Sequence, residues 1–156
     1  MATIITDLKE SFRRGNISIQ LIYINVGVFV LTTLTEVILQ LFNRSLGGMF
    51  EWLELPASLS RFIVQPWSIL TYMFMHAGVL HILFNMLWLY WFGALFLNFF
   101  SAKHLRGVYI LGGICGGILY MAAYNIFPYF QPMTEYSFML GASASVLAIV
   151  AATAYR

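Results

Sequence analysis

A few polar residues with spacing suited to chemistry lie inside two strongly apolar stretches of this sequence. The first stretch contains His76, His81 and Asn85. In a helix, His81 and Asn85 differ by about 40° and share one face, whereas His76 lies about 140° from His81. Two side-chain donors one turn apart can stabilise an anion. The spacing therefore predicts an anion-stabilising pair, with His76 serving a different partner.

The second stretch contains the segment GASAS at residues 141–145. Here Ser143 stands among small residues at the predicted start of a helix, where backbone N–H groups favour negative charge. This position suits a serine nucleophile, because its own N–H can stabilise a developing oxyanion. Taken alone, the pair Gly141-x-Ser143 is a weak signal, because a serine that serves close helix packing is far commoner.

The composition predicts an all-α, polytopic helical membrane protein. Of 156 residues, 61% are hydrophobic and only 9% are charged, whereas a soluble domain has roughly 25% charged residues. So small a soluble domain cannot hide this apolar excess in its core. The formal net charge is only +2 and there is no basic stripe, so nucleic acid is not an expected partner. The single cysteine, Cys115, excludes an internal disulfide framework.

Four apolar segments approach the length of about 20 residues that a helix needs to cross a bilayer. We predict one membrane domain with an N-terminal segment at 1–18, spans at 19–42, 70–97, 105–127 and 138–155, and a long outer loop at 43–69. The aromatic residues of that loop favour an ordered segment resting in the membrane interface.

The basic residues predict the orientation of these spans. Six of the eight lysines and arginines fall on one side, which the positive-inside rule makes cytoplasmic. We therefore expect a multi-pass protein with its N-terminus in the cytoplasm, in a bacterial inner (plasma) membrane. The connections 43–69 and 128–138 then face outward.

Other distinctive residues of the spans are expected to be structural. The third span contains two overlapping pairs of glycines, Gly112 with Gly116 and Gly113 with Gly117, which predict close helix packing. Glu36, near the end of the first span, is expected to snorkel toward the interface rather than to act as a gate or relay.

The motif HxxxxHxxxN, followed two spans later by GxS, closely resembles the rhomboid family of intramembrane serine proteases. Rhomboids cut transmembrane proteins with a serine–histidine dyad. The resemblance implies that Ser143 is the nucleophile and that His81 and Asn85 stabilise the oxyanion. It also implies that His76 is a structural histidine and that Gly141 opens the nucleophile motif.

The same resemblance implies a dyad histidine on a sixth span, whereas this sequence ends at Arg156. We therefore expect these residues to provide four spans of a six-helix core, partnered by the lipid bilayer and the remaining spans of the same protein. The fragment alone is expected to be inactive because it lacks the general base. His104 is expected about 30 Å from Ser143, on the opposite membrane surface.

Two other interpretations were considered from the residues. A catalytic zinc ion normally needs three protein ligands, but His76 and His81 are five residues apart with no carboxylate near them in the span. Neither a metal nor a cofactor is therefore expected. A non-catalytic rhomboid-like protein that binds membrane helices is the alternative function. The absence of a downstream histidine supports it, and the presence of Ser143 with the HxxxxHxxxN set argues against it.

Overall fold

A computed structural model describes residues 2–44 and 48–155, which form a bundle of helices. Within those residues, three helices are long and apolar enough to cross a membrane, and a fourth apolar helix is shorter. In chain order the helices are α1 (Ala2–Arg14), α2 (Ile17–Leu41), α3 (Leu59–Val64), α4 (Ser68–Thr71), α5 (Val79–Leu97), α6 (Ala102–Ile126) and α7 (Ser143–Ala154). The predicted all-α, polytopic membrane fold is confirmed. The predicted N-terminal orientation and bacterial membrane stay predictions.

The two connections at one end of the bundle, residues 42–78 and 127–142, are tied to each other. We call this the loop end. Two short strands, β1 (Leu55–Pro56) and β2 (Phe138–Met139), pair antiparallel there, with Leu55 opposite Met139. The Ala57 N–H extends the pairing by donating to the Ser137 carbonyl at 3.0 Å. Three 3-10 turns, Met49–Trp52, Tyr72–Phe74 and Gln131–Met133, also lie in these connections, together with α3 and α4. Residues 45–47 of the predicted outer loop lie outside the described residues.

The glycines of α6 allow two neighbours to approach its backbone closely. A methyl group on Gly112 or Gly116 would overlap the side chains of Ala148 or Ala144 on α7. On the adjacent face, a methyl group on Gly117 would lie 2.7 Å from Leu55 of β1. Between helices in lipid there is little hydrophobic drive, so this close packing substitutes for it. The predicted role of these glycines is confirmed.

Buried polar side chains on α2 donate hydrogen bonds to the backbone of α2 and to neighbouring helices. The Asn25 amide donates to the Leu21 carbonyl at 2.8 Å and to the Tyr109 hydroxyl of α6 at 3.1 Å. The Ser18 hydroxyl donates to the Leu89 carbonyl of α5 at 2.9 Å. A polar group in hydrocarbon without a partner costs several kcal/mol, so these bonds fix α2 against both helices.

Two helices begin later than the sequence predicts. The second span was expected from residue 70, but α5 begins at Val79, after a short helix, a 3-10 turn and an irregular connection. The fourth was expected from residue 138, but α7 begins at Ser143. Strand pairing holds residues 138–139 extended, and Gly141 has a φ of 118°, which a helix cannot contain. His76 therefore lies in the connection before α5, so the 140° helical angle assigned to it was wrong.

Candidate active site

The structure distinguishes the two serines at the start of α7. Ser143 is the first residue of the helix and is exposed, whereas Ser145 is fully buried. The Ser145 side chain faces α6, since a methyl group on Gly113 would lie 2.7 Å from its hydroxyl oxygen. Among the described residues that hydroxyl has no hydrogen-bond partner. Ser143 is therefore accessible to a substrate and Ser145 is not.

Ser143 lies on the wall of a groove of about 570 Å³ between α5 and α7. His81 and Asn85 line the same groove, so the structure brings together the three residues that the sequence predicted to act together. The remaining walls are apolar and consist of Leu80, Phe84, Trp88, Val146, Leu147 and Val150. Trp88 lies one turn beyond Phe84 on the groove face of α5.

At Gly141, the turn that precedes Ser143 contacts the His81 ring. A Cβ atom at Gly141 would lie 2.7 Å from both Cε1 and Nε2 of His81, and the φ of 118° independently disfavours any side chain. The Gly141 N–H donates to the Tyr72 carbonyl at 2.9 Å, which holds the loop in place. Sequence reasoning missed Tyr72, because its contribution is a backbone carbonyl that leaves no signal in residue type.

The hydrogen bonds of His81 and Asn85 leave one donor of each for the groove. His81 Nδ1 accepts a long hydrogen bond from the Ala77 N–H at 3.4 Å. A neutral imidazole that accepts at Nδ1 carries its proton at Nε2, so Nε2 is a donor. The Asn85 amide uses one N–H on the His81 carbonyl at 2.9 Å and keeps a second N–H. The prediction that these residues share one helix face is confirmed.

The start of α7 supplies a third donor. The first backbone hydrogen bond at the start of this helix runs from the Val146 N–H to the Ala142 carbonyl at 2.9 Å. The N–H groups of residues 143–145 precede it and have no acceptor within the helix. The Ser143 N–H therefore adds a third donor at a groove that His81 and Asn85 also line. Such a set of donors can stabilise an oxyanion formed by attack of the Ser143 hydroxyl.

Comparison with known proteins assigns the chain to a family. The sequence model of the Rhomboid domain matches residues 64–156, which include the whole groove. The chain belongs to the rhomboid family. Over 55 residues it is also 38% identical to the RHOMBOID-like protein 7 of Arabidopsis thaliana. That match covers 35% of this chain and 18% of the plant protein, so the chain spans a small part of that relative's length.

Within this rhomboid domain, Ser143 lies well below the loop end of the bundle. Its neighbour Ala144 packs at the level of Gly116 on α6. From Gly116, α6 continues ten residues to Ile126, or about 15 Å at 1.5 Å per residue. In the other direction His104 lies twelve residues from Gly116, or about 18 Å, and contacts Ser101 at 2.8 Å. Ser143 is thus recessed, and His104 lies toward the opposite end of α6, remote from the groove. The separation of about 30 Å expected between His104 and Ser143 stays a prediction.

The His76 ring contacts the His81 ring within the rhomboid domain. Its buried ring packs edge-on against the His81 ring, with 5.2 Å between the ring centroids. Its Nδ1 lies 3.3 Å from the Phe74 carbonyl, and Nε2 has no partner among the described residues. This geometry agrees with the structural role predicted for His76.

A cleft of about 310 Å³ lies between α2 and the connections, with His76, Glu36 and Glu54 on its walls. Burial raises the pKa of the Glu54 carboxyl, and the charges of Glu51 and Glu36 raise it further. Glu36 therefore faces this cleft and influences a second carboxyl group there. Within the described residues, no group of three or more histidines, cysteines and carboxylates is arranged to hold a metal ion.

Proposed function

We propose that this chain carries the nucleophile and the oxyanion-stabilising residues of a rhomboid-type intramembrane serine protease. The observation that supports it most is the position of Ser143 on one groove with His81 and Asn85. The fully buried, inward-facing Ser145 provides an internal contrast, because the same short segment contains a serine that no substrate can reach.

In the proposed reaction, the Ser143 hydroxyl oxygen attacks the carbonyl carbon of a peptide bond and loses its proton to a general base. The tetrahedral oxyanion accepts hydrogen bonds from the Ser143 N–H, His81 Nε2 and the Asn85 amide. Collapse breaks the C–N bond, and the amine leaves with the proton held by the base. Water then hydrolyses the acyl-enzyme by the same two steps and restores the serine hydroxyl.

None of the described residues is placed to be the base for Ser143. His81 is assigned as a donor, His76 lies behind it, and His104 is about 18 Å away along α6. The resemblance to rhomboids assigns this role to a histidine of a later span, and we propose that the base comes from there. Residues 1–156 without that histidine should bind substrate but not turn it over.

We propose transmembrane proteins as substrates. The walls of the groove below Ser143 are apolar, which suits the side chains of a membrane-spanning segment. The recess of about 15 Å would place the cut inside the bilayer rather than at its surface. With the N-terminus proposed to lie in the cytoplasm, the cut would fall in the outer half of the membrane.

The test uses the complete gene product in membranes and a serine-directed fluorophosphonate probe. Wild type and the Ser145→Ala control should be labelled, and Ser143→Ala should not. Ser145→Ala is a matched control, because it removes a hydroxyl two residues away that has no partner among the described residues. Labelling that persists in Ser143→Ala would disprove the nucleophile assignment.

A non-catalytic protein that binds membrane helices is the second candidate, favoured by the apolar walls of the groove between α5 and α7. It predicts a folded wild-type protein that reacts with no probe and cleaves no substrate. A transmembrane peptide with a photoreactive residue would still cross-link to Leu147 or Phe84 in the groove. Probe labelling at Ser143 would exclude this alternative.

A further inference from the structure

Helix α1 has an uncovered apolar face. Ile4, Ile5, Leu8 and Phe12 fall within an arc of about 100° around the helix. Their exposed fractions are 63%, 70%, 50% and 40%. The opposite face contains Glu10, which forms an exposed ion pair with Arg14 at 3.3 Å. The helix is thus strongly amphipathic, but within the described part of the chain most of its apolar side is uncovered.

The contacts of α1 with α2 hold that face at the place where α2 starts. Only Gly15 and Asn16 separate the two helices, and the Asn16 side chain caps α2 by accepting from the Ile19 N–H at 3.1 Å. The Ser11 hydroxyl lies 3.0 Å from the Tyr23 hydroxyl, and the Phe12 ring packs edge-on against the Tyr23 ring. Because α2 is a candidate membrane span, α1 cannot leave the membrane boundary at which this span begins.

We propose that α1 lies in the bilayer interface with its Ile4–Phe12 face at the boundary between headgroups and acyl chains. A short helix with one apolar and one charged face is the typical form of an interfacial anchor. In this position α1 covers its apolar residues with lipid and fixes the depth at which α2 enters the membrane. The partner surface is the bilayer itself.

The charges of α1 indicate which property of the bilayer holds it. The helix contains three basic and two acidic side chains, a net charge of +1, and one of the basic residues is paired with Glu10. Attraction to anionic headgroups is therefore weak compared with the burial of four large apolar side chains. We infer that a zwitterionic bilayer is sufficient for α1 to settle in the interface.

The test places a nitroxide spin label on either face of α1 in the full chain, reconstituted into phosphatidylcholine vesicles. Cys115 is first replaced, and the label is then attached to Ile5→Cys or, as the matched control, to Glu10→Cys. Both positions are exposed, so neither substitution threatens the fold. Power saturation compares collisions with oxygen, which concentrates in lipid, and with a water-soluble nickel chelate.

We expect the oxygen-to-nickel collision ratio to be several-fold higher at position 5 than at position 10, about threefold or more. Addition of phosphatidylglycerol should leave this ratio unchanged. High nickel accessibility at both positions would mean that α1 lies in water. Low accessibility to both reagents at position 5 would mean that protein covers the face. Either result would overturn the proposal.

Discussion

Gly141→Ala should destabilise the protein and weaken the site through one added methyl group. The φ of 118° is a backbone conformation that residues with a side chain rarely adopt, at a cost of about 1–3 kcal/mol. The new Cβ would also lie 2.7 Å from the His81 ring, which is closer than the 3.4–4 Å of an ordinary van der Waals contact. Overpacking of this kind typically costs about 1–3 kcal/mol. We therefore expect the free energy of unfolding to fall by about 2–6 kcal/mol.

Two comparisons separate backbone strain from the contact with His81. Gly48 also has a positive φ, of 80°, but its Cβ would meet only the flexible carboxylate of Glu51, at 3.1 Å. Gly48→Ala should therefore show the strain of about 1–3 kcal/mol alone. In a His81→Ala background the collision is removed, so Gly141→Ala should there cost about as much as Gly48→Ala. Denaturant titration in mild detergent measures all three differences.

Gly141→Ala should also lower the rate of reaction at Ser143 by more than the loss of folded protein explains. Relief of the contact at Gly141 displaces either His81 or the turn that precedes Ser143 by several tenths of an ångström. A misplacement near 1 Å can lower the rate about 10²-fold. The rate of fluorophosphonate labelling per folded molecule should fall for Gly141→Ala and stay unchanged for Gly48→Ala. An equal cost of Gly141→Ala with and without His81, or an unchanged labelling rate, would refute the contact as the reason for glycine at this position.

Two further predictions concern Asn85 and Glu54. Asn85→Ala should slow acyl transfer about 10²–10³-fold while costing only about 1 kcal/mol of stability. Asn125 on α6 is the control, because its amide donates to the Ala57 and Met121 carbonyls at 2.9 and 2.7 Å and it does not line the groove. Asn125→Ala should lower stability without changing the rate per folded molecule. Parallel losses of folded protein and of rate in Asn85→Ala would contradict the assignment. Because burial and neighbouring carboxylates raise the pKa of Glu54, its protonated form stabilises the fold below pH 4.5, and this stabilisation is lost as the pH rises through the folded-state pKa. Glu54→Gln should therefore raise the melting temperature at pH 7 but not at pH 4. A Glu54→Gln difference that persists at pH 4 would exclude this explanation.

Hydropathy predicted the bounds of α2 and α6 well and the beginnings of α5 and α7 poorly. The spans predicted at 19–42 and 105–127 lie within three residues of α2 and α6 at both ends, because an unbroken apolar run corresponds directly to a helix. The beginning of α7 depends on β2 pairing with β1, some 80 residues away in the sequence, and on the left-handed backbone at Gly141. The Gly141 N–H also binds the Tyr72 carbonyl in the connection before α5. None of these features changes local hydropathy, so a window of sequence cannot detect them.

The sequence could predict the part of the candidate site whose residues lie on one helix. His81 and Asn85 are one turn apart, so their common face follows from helical geometry alone. The choice of Ser143 over Ser145 rested on motif resemblance, whereas the structure supports it with a physical reason, the packing of Ser145 against Gly113. The contact of Gly141 with His81, which joins α7 to α5, depends on tertiary packing that no residue pattern contains.

The shortness of α7 and the depth of Ser143 have the same cause. Its 12 residues rise only about 18 Å, well short of the roughly 30 Å of a hydrocarbon core. The residues that would have extended it toward the loop end are instead held by strand pairing and by the turn at Gly141, which leaves Ser143 about 15 Å below the end of α6. The depth of Ser143 below the end of α6 and the length of α7 together add up to about one membrane thickness. Under the proposed function, a complete fourth span would place its first residue at the membrane surface, and only a span shortened in this way places a serine at its N-terminus inside the bilayer.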